Sequence, residues 1–316
     1  MTLLIRNARV VTLAAGPRPR RGNDLRELAV MPRADILIDR HEIIDCAEHI
    51  EARADRTLDA AGRIVMPGFV DCHTHACWAG DRIAEWEERL AGATYLAILA
   101  KGGGIMSTVR AVRAASQDDL TRSLSRRLDR MLAAGSTTIE VKSGYGLTTA
   151  DELKMLGAAH AATPAFRGTL RATALLGHAL DPDQPDFINT TIRETLPAIT
   201  KAFPGIPVDA YCKKSAWDLA ACQRLFEAAA AAGHPCRVHA DQFNSLGMTP
   251  WAAKHNFRSV DHLEASTPAD IAALAASDTA GVMLPICGLH LDDRYAPGRT
   301  FIDAGGIPAL ATNCNP

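Results

Sequence analysis

Apolar and polar positions divide the chain into two parts with different periods. In the first, three short β-branched runs within residues 3–46 alternate as strands do, and an arginine- and proline-rich loop at residues 16–26 separates the first two. Further along, the pattern changes to strand, loop and helix, repeated many times. The pattern therefore predicts a small β domain at residues 1–66 and a larger α/β domain at residues 67–316.

Eight apolar runs of strand length mark the second part. They are residues 64–70, 137–142, 170–177, 208–212, 236–238, 259–261, 281–284 and 307–312. Between them, leucines spaced four apart in residues 120–132 line one helix face after a capping-box-like start at residues 116–119. Further helices are predicted to begin near Thr149, Asp218 and Thr267. Eight strands alternating with helices predict a parallel (β/α)8 TIM-like barrel. A doubly wound open sheet is the alternative, and it is disfavoured because no glycine-rich dinucleotide fingerprint follows the first strand.

Histidines follow several of these strands. His73 and His75 stand two residues apart after the first, so in an extended backbone their side chains face the same way. Alone, such a pair is also typical of ordinary polar loop residues. However, His178, His239 and His262 follow the third, fifth and sixth strands, and chemistry in a parallel barrel sits at these carboxyl ends. Converging imidazoles bind transition metals, so the sequence predicts a metal centre that activates water.

Composition narrows the class of protein further. The chain has 316 residues and a net charge of −2, which gives no global field to attract nucleic acid or an anionic membrane. No apolar run is long enough to span a bilayer, and the first residues lack the pattern of a signal peptide. Eight scattered cysteines without a CxxC motif are typical of reduced thiols, so we expect a cytoplasmic protein.

Motifs along essentially the whole chain resemble the imidazolonepropionase family of the amidohydrolase superfamily, which catalyses the third step of histidine breakdown. The matching segments are FVDCHTH (69–75), AGDR (79–82), RLAGATY (89–95), GGGI (102–105), EVKSGYGL (140–147), HADQ (239–242), VDHLE (260–264) and ATNCNP (311–316). The stretch at residues 140–147 is the most specific of these, whereas the whole superfamily shares the histidine pair.

The resemblance implies hydrolytic opening of 4-imidazolone-5-propanoate to N-formimidoyl-L-glutamate. It also implies one Zn²⁺ or Fe³⁺ per subunit, a homodimer, no nucleic-acid or membrane partner, and a small N-terminal β-sandwich beside the barrel. By motif position, it implies metal ligands at His73, His75, His239 and Asn313, substrate contacts at Arg82, Tyr95, Tyr145, His178, Gln242 and Asn315, and catalytic roles for His262 and Gln242.

These roles suit the substrate chemically. A propanoate tail calls for a guanidinium such as that of Arg82, and the flat polar ring calls for directional donors and acceptors. Each role has a structural alternative. Arg82 could form a surface salt bridge, Tyr95 could pack in the core, and His262 could orient a neighbouring ligand.

Two lysines belong to the same motif regions without an assigned role. Lys142 is interpreted as a buried ion-pair partner of Glu140 or Asp71 rather than as a catalytic group. Lys213 stands at a strand end where the family usually has a glutamate after cysteine. An exposed lysine is the favoured interpretation of Lys213, although the reversed charge bears on the choice of substrate.

Two departures from the family pattern affect the expected activity. The metal-binding aspartate after the eighth strand is Asn313 here, and an amide oxygen is a weaker ligand that cannot accept a proton. We therefore expect weaker metal binding and slower hydrolysis unless His262 covers the proton transfer. The chain also stops at Pro316, whereas family members continue, so we expect a barrel without its last helix and a poorly soluble fragment. The alternatives are an amidohydrolase acting on another cyclic amide or amidine, and a binding homologue without turnover.

Overall fold

Two compact units make up the chain, Met1–Gly68 and Phe69–Pro316. The computed structural model describes residues 1–14, 16–93, 97–98, 102–214, 216–291 and 293–316. Each unit has its own apolar core. In the described part of the chain, no helix is both long and apolar enough to cross a membrane.

The first unit is a five-stranded sheet. Its strands are β1 (Thr2–Val11), β2 (Val30–Asp39), β3 (Glu42–Ala47), β4 (Arg56–Asp59) and β5 (Ile64–Val65), with a 3₁₀ turn at Gly22–Arg26. The strand order is β3-β2-β1-β4, with β5 also pairing with β1. Strand β1 runs antiparallel to β2 and parallel to β4 and β5. Its alternating pattern points Ala8 and Val10 into a small core that also contains Ala34, Ile36 and Ala60.

One buried carboxylate organises this unit. Asp35 on β2 accepts hydrogen bonds from the backbone N–H of Asn7 (3.1 Å), the backbone N–H of Ile50 (3.2 Å) and Nη1 of Arg6 (2.9 Å). Burial raises the pKa of Asp35, but the two backbone hydrogen bonds and the Arg6 charge outweigh it and leave the pKa below its ordinary value. Both oxygens of this side chain therefore have hydrogen-bond partners.

The predicted buried strand at residues 64–70 is wrong. The structure divides it between β5, which pairs with β1 in the first unit, and β6 (Phe69–Asp71) in the second. Pro67 cannot donate a ladder hydrogen bond, and Gly68 follows it, so the chain changes sheet at this point. Ile64 is 60% exposed and Phe69 is 57% exposed, so much of the segment lies at the surface.

The second unit has an α/β fold with parallel sheets. After β6 its strands are β7 (Ser136–Lys142), β8 (Thr169–Gly177), β9 (Val208–Ala210), β10 (Arg237–Ala240), β11 (Ser259–His262), β12 (Ala280–Met283) and β13 (Ile307–Leu310). Strands β6 to β9 form one parallel run and β10 to β13 another, each in sequence order. Isolated parallel bridges between Val208 and Cys236 and between Tyr211 and His239 link β9 with β10.

Helices separate most of these strands. They are α1 (Ile83–Leu90), α2 (Ile105–Ala114), α3 (Gln117–Ala133), α4 (Thr149–Ala162), α5 (Phe187–Thr190), α6 (Leu196–Ala202), α7 (Leu219–Ala231), α8 (Met248–Lys254), α9 (Pro268–Ala275), α10 (Pro285–Leu291) and α11 (Gly298–Asp303), with a 3₁₀ turn at Thr163–Ala165 and a π-helical turn at Thr191–Thr195. Ser116 caps α3 through the Asp119 N–H, and Thr267 forms a full capping box with Asp270 at α9. Helix α4 is capped by Thr148 rather than by the predicted Thr149, because the Thr148 hydroxyl accepts from the Asp151 N–H.

Candidate metal centre and active site

Five histidines meet at the carboxyl ends of the parallel strands. His73 and His75 follow β6, His178 follows β8, and His239 and His262 lie on β10 and β11. The His73 ring centroid lies 4.4 Å from that of His239 and 5.6 Å from that of His262. His75 stacks on His178 at 4.8 Å, and its ring lies 5.3 Å from His239. All five are almost completely buried. The structure thus brings together every strand-end histidine that the sequence singled out.

Two carboxylates fix the orientation of two of these rings. His73 Nδ1–H donates to Asp261 Oδ2 at 2.6 Å, and His239 Nδ1–H donates to Asp209 Oδ1 at 3.0 Å. When Nδ1 carries the proton, the neutral ring presents the Nε2 lone pair on its other side. This is the carboxylate–histidine arrangement that orients imidazoles toward a metal and raises their basicity.

Buried cations hold those carboxylates in turn. Lys142 Nζ lies 2.7 Å from both Glu140 and Asp209, and Arg237 Nη2 lies 3.1 Å from Asp261. Burial raises the pKa of Asp261, but Arg237 and Lys142 outweigh burial and leave it below its ordinary value. The interpretation of Lys142 as an ion-pair partner of Glu140 is confirmed.

Several polar atoms at the centre of the cluster have no hydrogen-bond partner among the described residues. They include His73 Nε2, His75 Nδ1 and Asn313 Oδ1. His239 Nε2 and His75 Nε2 face each other at 3.3 Å. Burial, together with Lys142 and the neighbouring imidazoles, holds the pKa of His73 well below its ordinary value, so the ring stays neutral. Neutral nitrogens that converge with lone pairs exposed are the donor set of a transition-metal site.

The backbone places Asn313 beside this cluster. Its N–H donates to the His73 carbonyl at 3.1 Å, and the His75 N–H donates to the Cys314 carbonyl at 2.8 Å. Asn313 has a φ of +56°, in the left-handed region that asparagine tolerates better than most residues. The backbone of residues 313–314 is therefore hydrogen-bonded to the histidine pair, and the buried Asn313 Oδ1 has no hydrogen-bond partner among the described residues.

The loop after β7 supplies Tyr145. Glu152 accepts from the N–H groups of Gly144, Gly146 and Leu147 at 2.8–2.9 Å, which fixes the course of the loop. Gly144 has a φ of +105°, a region that disfavours any side chain. The Tyr145 ring consequently lies 5.0 Å from His178 and 5.9 Å from His75.

His178 completes this wall of the site. Its Nδ1–H donates to the Gly144 carbonyl at 3.0 Å. Burial lowers the pKa of His178 to about 4, which keeps the ring neutral at physiological pH. Its Nε2 can then act as an acceptor for a bound molecule.

Gln242 and His262 form the opposite side. The Gln242 amide accepts from the Tyr211 hydroxyl and donates to Cys287 Sγ at 3.1 Å, so both of its ends are held. His262 Nδ1–H donates to Glu264 Oε1 at 3.3 Å. Burial lowers the pKa of His262, but hydrogen bonds to Cys287 and Glu264 outweigh it and raise the pKa to about 10. His262 also has a φ of +91°, a strained backbone of the kind found at functional sites.

Other residues from the sequence prediction have different surroundings. Arg82 Nε forms an ion pair with Glu85 at 3.0 Å, and Asn315 is exposed. Tyr95 lies outside the described residues. Lys213 is half-buried, with Nζ 5.1 Å from the Phe243 ring, and desolvation lowers its pKa. It is thus less exposed than the favoured interpretation held.

Sequence reasoning missed the supporting residues. Asp209, Arg237, Glu264 and Cys287 had no assigned role, although each contacts a residue of the cluster or its network. A signal was available for Asp209 and Asp261, because an acidic residue between apolar neighbours in a strand must find a partner when buried. No comparable sequence signal marked Cys287.

Comparison with known proteins finds relatives in sequence and in fold. An imidazolonepropionase from Herpetosiphon aurantiacus is 41% identical over 320 residues, covering 96% of this chain and 75% of the relative. A 5-methylcytosine deaminase from Klebsiella pneumoniae matches with a TM-score of 0.72 at 16% identity, covering 99% of this chain and 75% of that one. An atrazine chlorohydrolase from Arthrobacter aurescens TC1, solved as a complex with zinc, matches with a TM-score of 0.61 at 18% identity, covering 98% and 72%. No family model matches the chain.

The parallel α/β fold and its histidine cluster define an amidohydrolase-type enzyme with a site that supports a metal cofactor. Within that class, the family is shown by the sequence identity to the curated relatives and by the share of both chains that the match covers. The chain belongs to the imidazolonepropionase family.

Proposed function

We propose that this chain hydrolyses 4-imidazolone-5-propanoate to N-formimidoyl-L-glutamate in histidine degradation. The observation that carries the proposal is the buried histidine cluster, in which ligand nitrogens of His73, His239 and His262 lie within 4.8 Å of one another. His75 Nε2 lies 3.3 Å from His239 Nε2 beside them. One Zn²⁺ or Fe³⁺ per subunit would be held by His73, His75 and His239, with Asn313 as the fourth ligand. Such an ion supplies Lewis acidity that polarises a carbonyl and activates water for attack.

The other residues bind the substrate and move protons. Water adds to the lactam carbonyl carbon, the bond from that carbon to the ring nitrogen breaks, and the nitrogen receives a proton. His262 donates through Nδ1 to Glu264 and stabilises the developing oxyanion through its Nε2–H or, in its neutral form, assists the attacking water. Gln242 acts with it at the ring, and Tyr145 and His178 hold the ring from the other side. Arg82, Tyr95 and Asn315 bind the propanoate and the product end.

Residues 67–316 form a (β/α)8 barrel, supported by eight parallel strands in sequence order and by hydrogen bonds from the His73 and His75 segment to residues 313–314. Residues 1–66 form the small β domain of a sandwich. The protein works in the cytoplasm as a homodimer, on a small molecule and not on nucleic acid or membranes.

A direct assay tests the reaction. The chain, purified and loaded with Zn²⁺ or Fe³⁺, should remove the ultraviolet absorbance of the imidazolone while mass spectrometry detects N-formimidoyl-L-glutamate. Replacement of the exposed His41 by alanine should leave the rate unchanged and serves as the control for histidine substitutions. A folded, metal-loaded chain that leaves the imidazolone intact would contradict the proposal.

A second candidate function rests on Asn313 and Lys213. An amide in place of a carboxylate and a half-buried lysine beside Phe243 favour a different cyclic amide or amidine, or binding without turnover. Turnover of a related ring compound, with the imidazolone left intact, would favour the altered substrate. Tight imidazolone binding without loss of absorbance would favour the binding homologue.

A further inference from the structure

A second group of metal-ligating side chains lies beside the histidine cluster. Ligand atoms of His262, Glu264 and Cys287 all lie within 4.8 Å of one another. The three residues are 2%, 8% and 6% exposed, so they are buried as a set. Strand β11 carries His262 and pairs in parallel with β12, after which α10 carries Cys287. The fold therefore brings the three side chains together at the carboxyl ends of β11 and β12.

One atom of this group needs a partner. Glu264 Oε1 accepts from His262, but Glu264 Oε2 is buried and has no hydrogen-bond partner among the described residues. A buried carboxylate oxygen left in this way costs free energy unless a cation or a donor meets it. The group thus has an unsatisfied anionic oxygen, and the neighbouring ligand atoms are a nitrogen and a sulfur.

Hydrogen bonds also fix the position of Cys287 Sγ. Gln242 Nε2 donates to Cys287 Sγ at 3.1 Å, and the Tyr211 hydroxyl in turn fixes the Gln242 oxygen. Cysteine binds metals as the thiolate, and the metal displaces the thiol proton on binding.

We propose that His262, Glu264 and Cys287 form a second metal site that takes Zn²⁺. Zn²⁺ accepts thiolate, imidazole and carboxylate ligands together, whereas Mg²⁺ and Ca²⁺ select oxygen ligands. Zinc ligands in a tetrahedron lie about 3.5 Å apart, so the side chains close by about 1 Å around the ion. The fourth position is left to water.

The shared imidazole gives this site a consequence for activity. His262 lies between the two groups, with its ring 5.6 Å from His73 and 5.4 Å from His239. An ion bound to His262 takes the side chain away from proton transfer. Excess Zn²⁺ therefore inhibits the enzyme, beyond the single ion that the proposed hydrolysis requires.

Cobalt distinguishes the two sites because only the second contains sulfur. Titration of the metal-free chain with Co²⁺ should produce a thiolate-to-cobalt charge-transfer band, and saturation with Zn²⁺ should reach about two ions per chain. Cys287→Ser should lose the band and bind about one ion, while the control Cys46→Ser in the first unit should keep both properties. Glu264→Gln should weaken Co²⁺ binding at the band without abolishing the first ion.

The wild type alone can overturn the inference. A chain that saturates at one ion with no thiolate band has no such site, and a band that survives in Cys287→Ser comes from another cysteine. If Cys287→Ser does not fold, the wild-type band and its weakening in Glu264→Gln still decide the matter. Metal counting needs no substrate, so its outcome is separate from that of the hydrolysis assay.

Discussion

Both units contain buried carboxylates that are paired with cations, but they differ in whether the polar atoms around those carboxylates all have partners. In the first unit, Asp35 meets Arg6 and two backbone N–H groups, and no buried side-chain nitrogen or oxygen in the described residues of that unit is left without a partner. In the second, Asp209 and Asp261 are also paired with cations, but Nε2 of His73, on the ring that Asp261 holds, has no hydrogen-bond partner among the described residues.

This difference separates polar groups that only stabilise the fold from polar groups that remain available to bind a ligand. A fully satisfied carboxylate stabilises the residues that contact it and has nothing left to offer a ligand. In the second unit, the carboxylates and cations behind the histidine rings satisfy one another, and we call them the outer side of the network. The ring atoms on the opposite, inner side include atoms without a partner. Burying such atoms costs stability, and a bound ion removes that cost. Among the described residues, unpartnered buried side-chain atoms occur only in the second unit, whereas buried charge occurs in both units.

The largest expected effect comes from removing one of the proposed metal ligands. His239→Ala should abolish metal binding at the histidine site, so that the chain binds about one ion fewer than the wild type, and should lower the rate of hydrolysis by more than about 100-fold, because losing a ligand exceeds the effect of losing its supporting carboxylate. Metal analysis after dialysis and the absorbance assay measure the two effects. His41→Ala is the matched control, and a His239→Ala chain that binds as many ions as the wild type would remove His239 from the site.

The next effect tests the outer side of the network. Asp261→Asn should lower metal affinity by about 10–100-fold, since His73 loses the carboxylate that fixes its ring and raises its basicity. Competition with a chelator of known affinity measures this change. Asp35→Asn is the matched control, because it removes an equally buried carboxylate of the first unit. Equal losses in the two variants would erase the distinction between the groups.

Sequence reasoning anticipated the inner side of the site better than the outer side. His73, His75, His178, His239 and His262 stand at strand ends, and parallel strands end at one edge, so their meeting follows from spacing alone. The contacts of Lys142 with Asp209 and of Arg237 with Asp261 depend on which strands are neighbours and on their register, and apolar periodicity does not encode either of these.

The fold was predicted with similar limits. Strand positions followed from apolar runs, and Thr267 was found because capping is local chemistry. The run at residues 64–70 failed because hydrophobicity continues across Pro67 while hydrogen bonding does not. Arg82 was given the propanoate on chemical grounds, and its ion pair with Glu85 depends on helix geometry that the motif does not contain.

A smaller effect is expected at the ligand position that departs from the family. Asn313→Asp should tighten metal binding by about tenfold, because a carboxylate adds charge to an oxygen that has no described partner. The same chelator competition measures it, and hydrolysis should become faster if the aspartate also accepts a proton. Equal affinity and equal rate in both chains would show that the amide oxygen is not a ligand.

The smallest effect lies in the first unit and concerns stability alone. Asp35→Asn should lower the free energy of unfolding by about 1 kcal/mol at neutral pH, since an amide offers one acceptor oxygen to three donors. The folded pKa of Asp35 lies below its ordinary value, so its contribution is fully present above the unfolded pKa of about 3.9 and is lost as the pH falls through the folded pKa. Urea unfolding of both chains should therefore show a gap at about pH 7 that narrows toward about pH 3. Other acidic groups titrate alike in both chains and cancel in this difference. A gap that stays constant with pH would mean that Asp35 acts through its shape and not through its charge, and the contrast with the metal centre would then rest on packing.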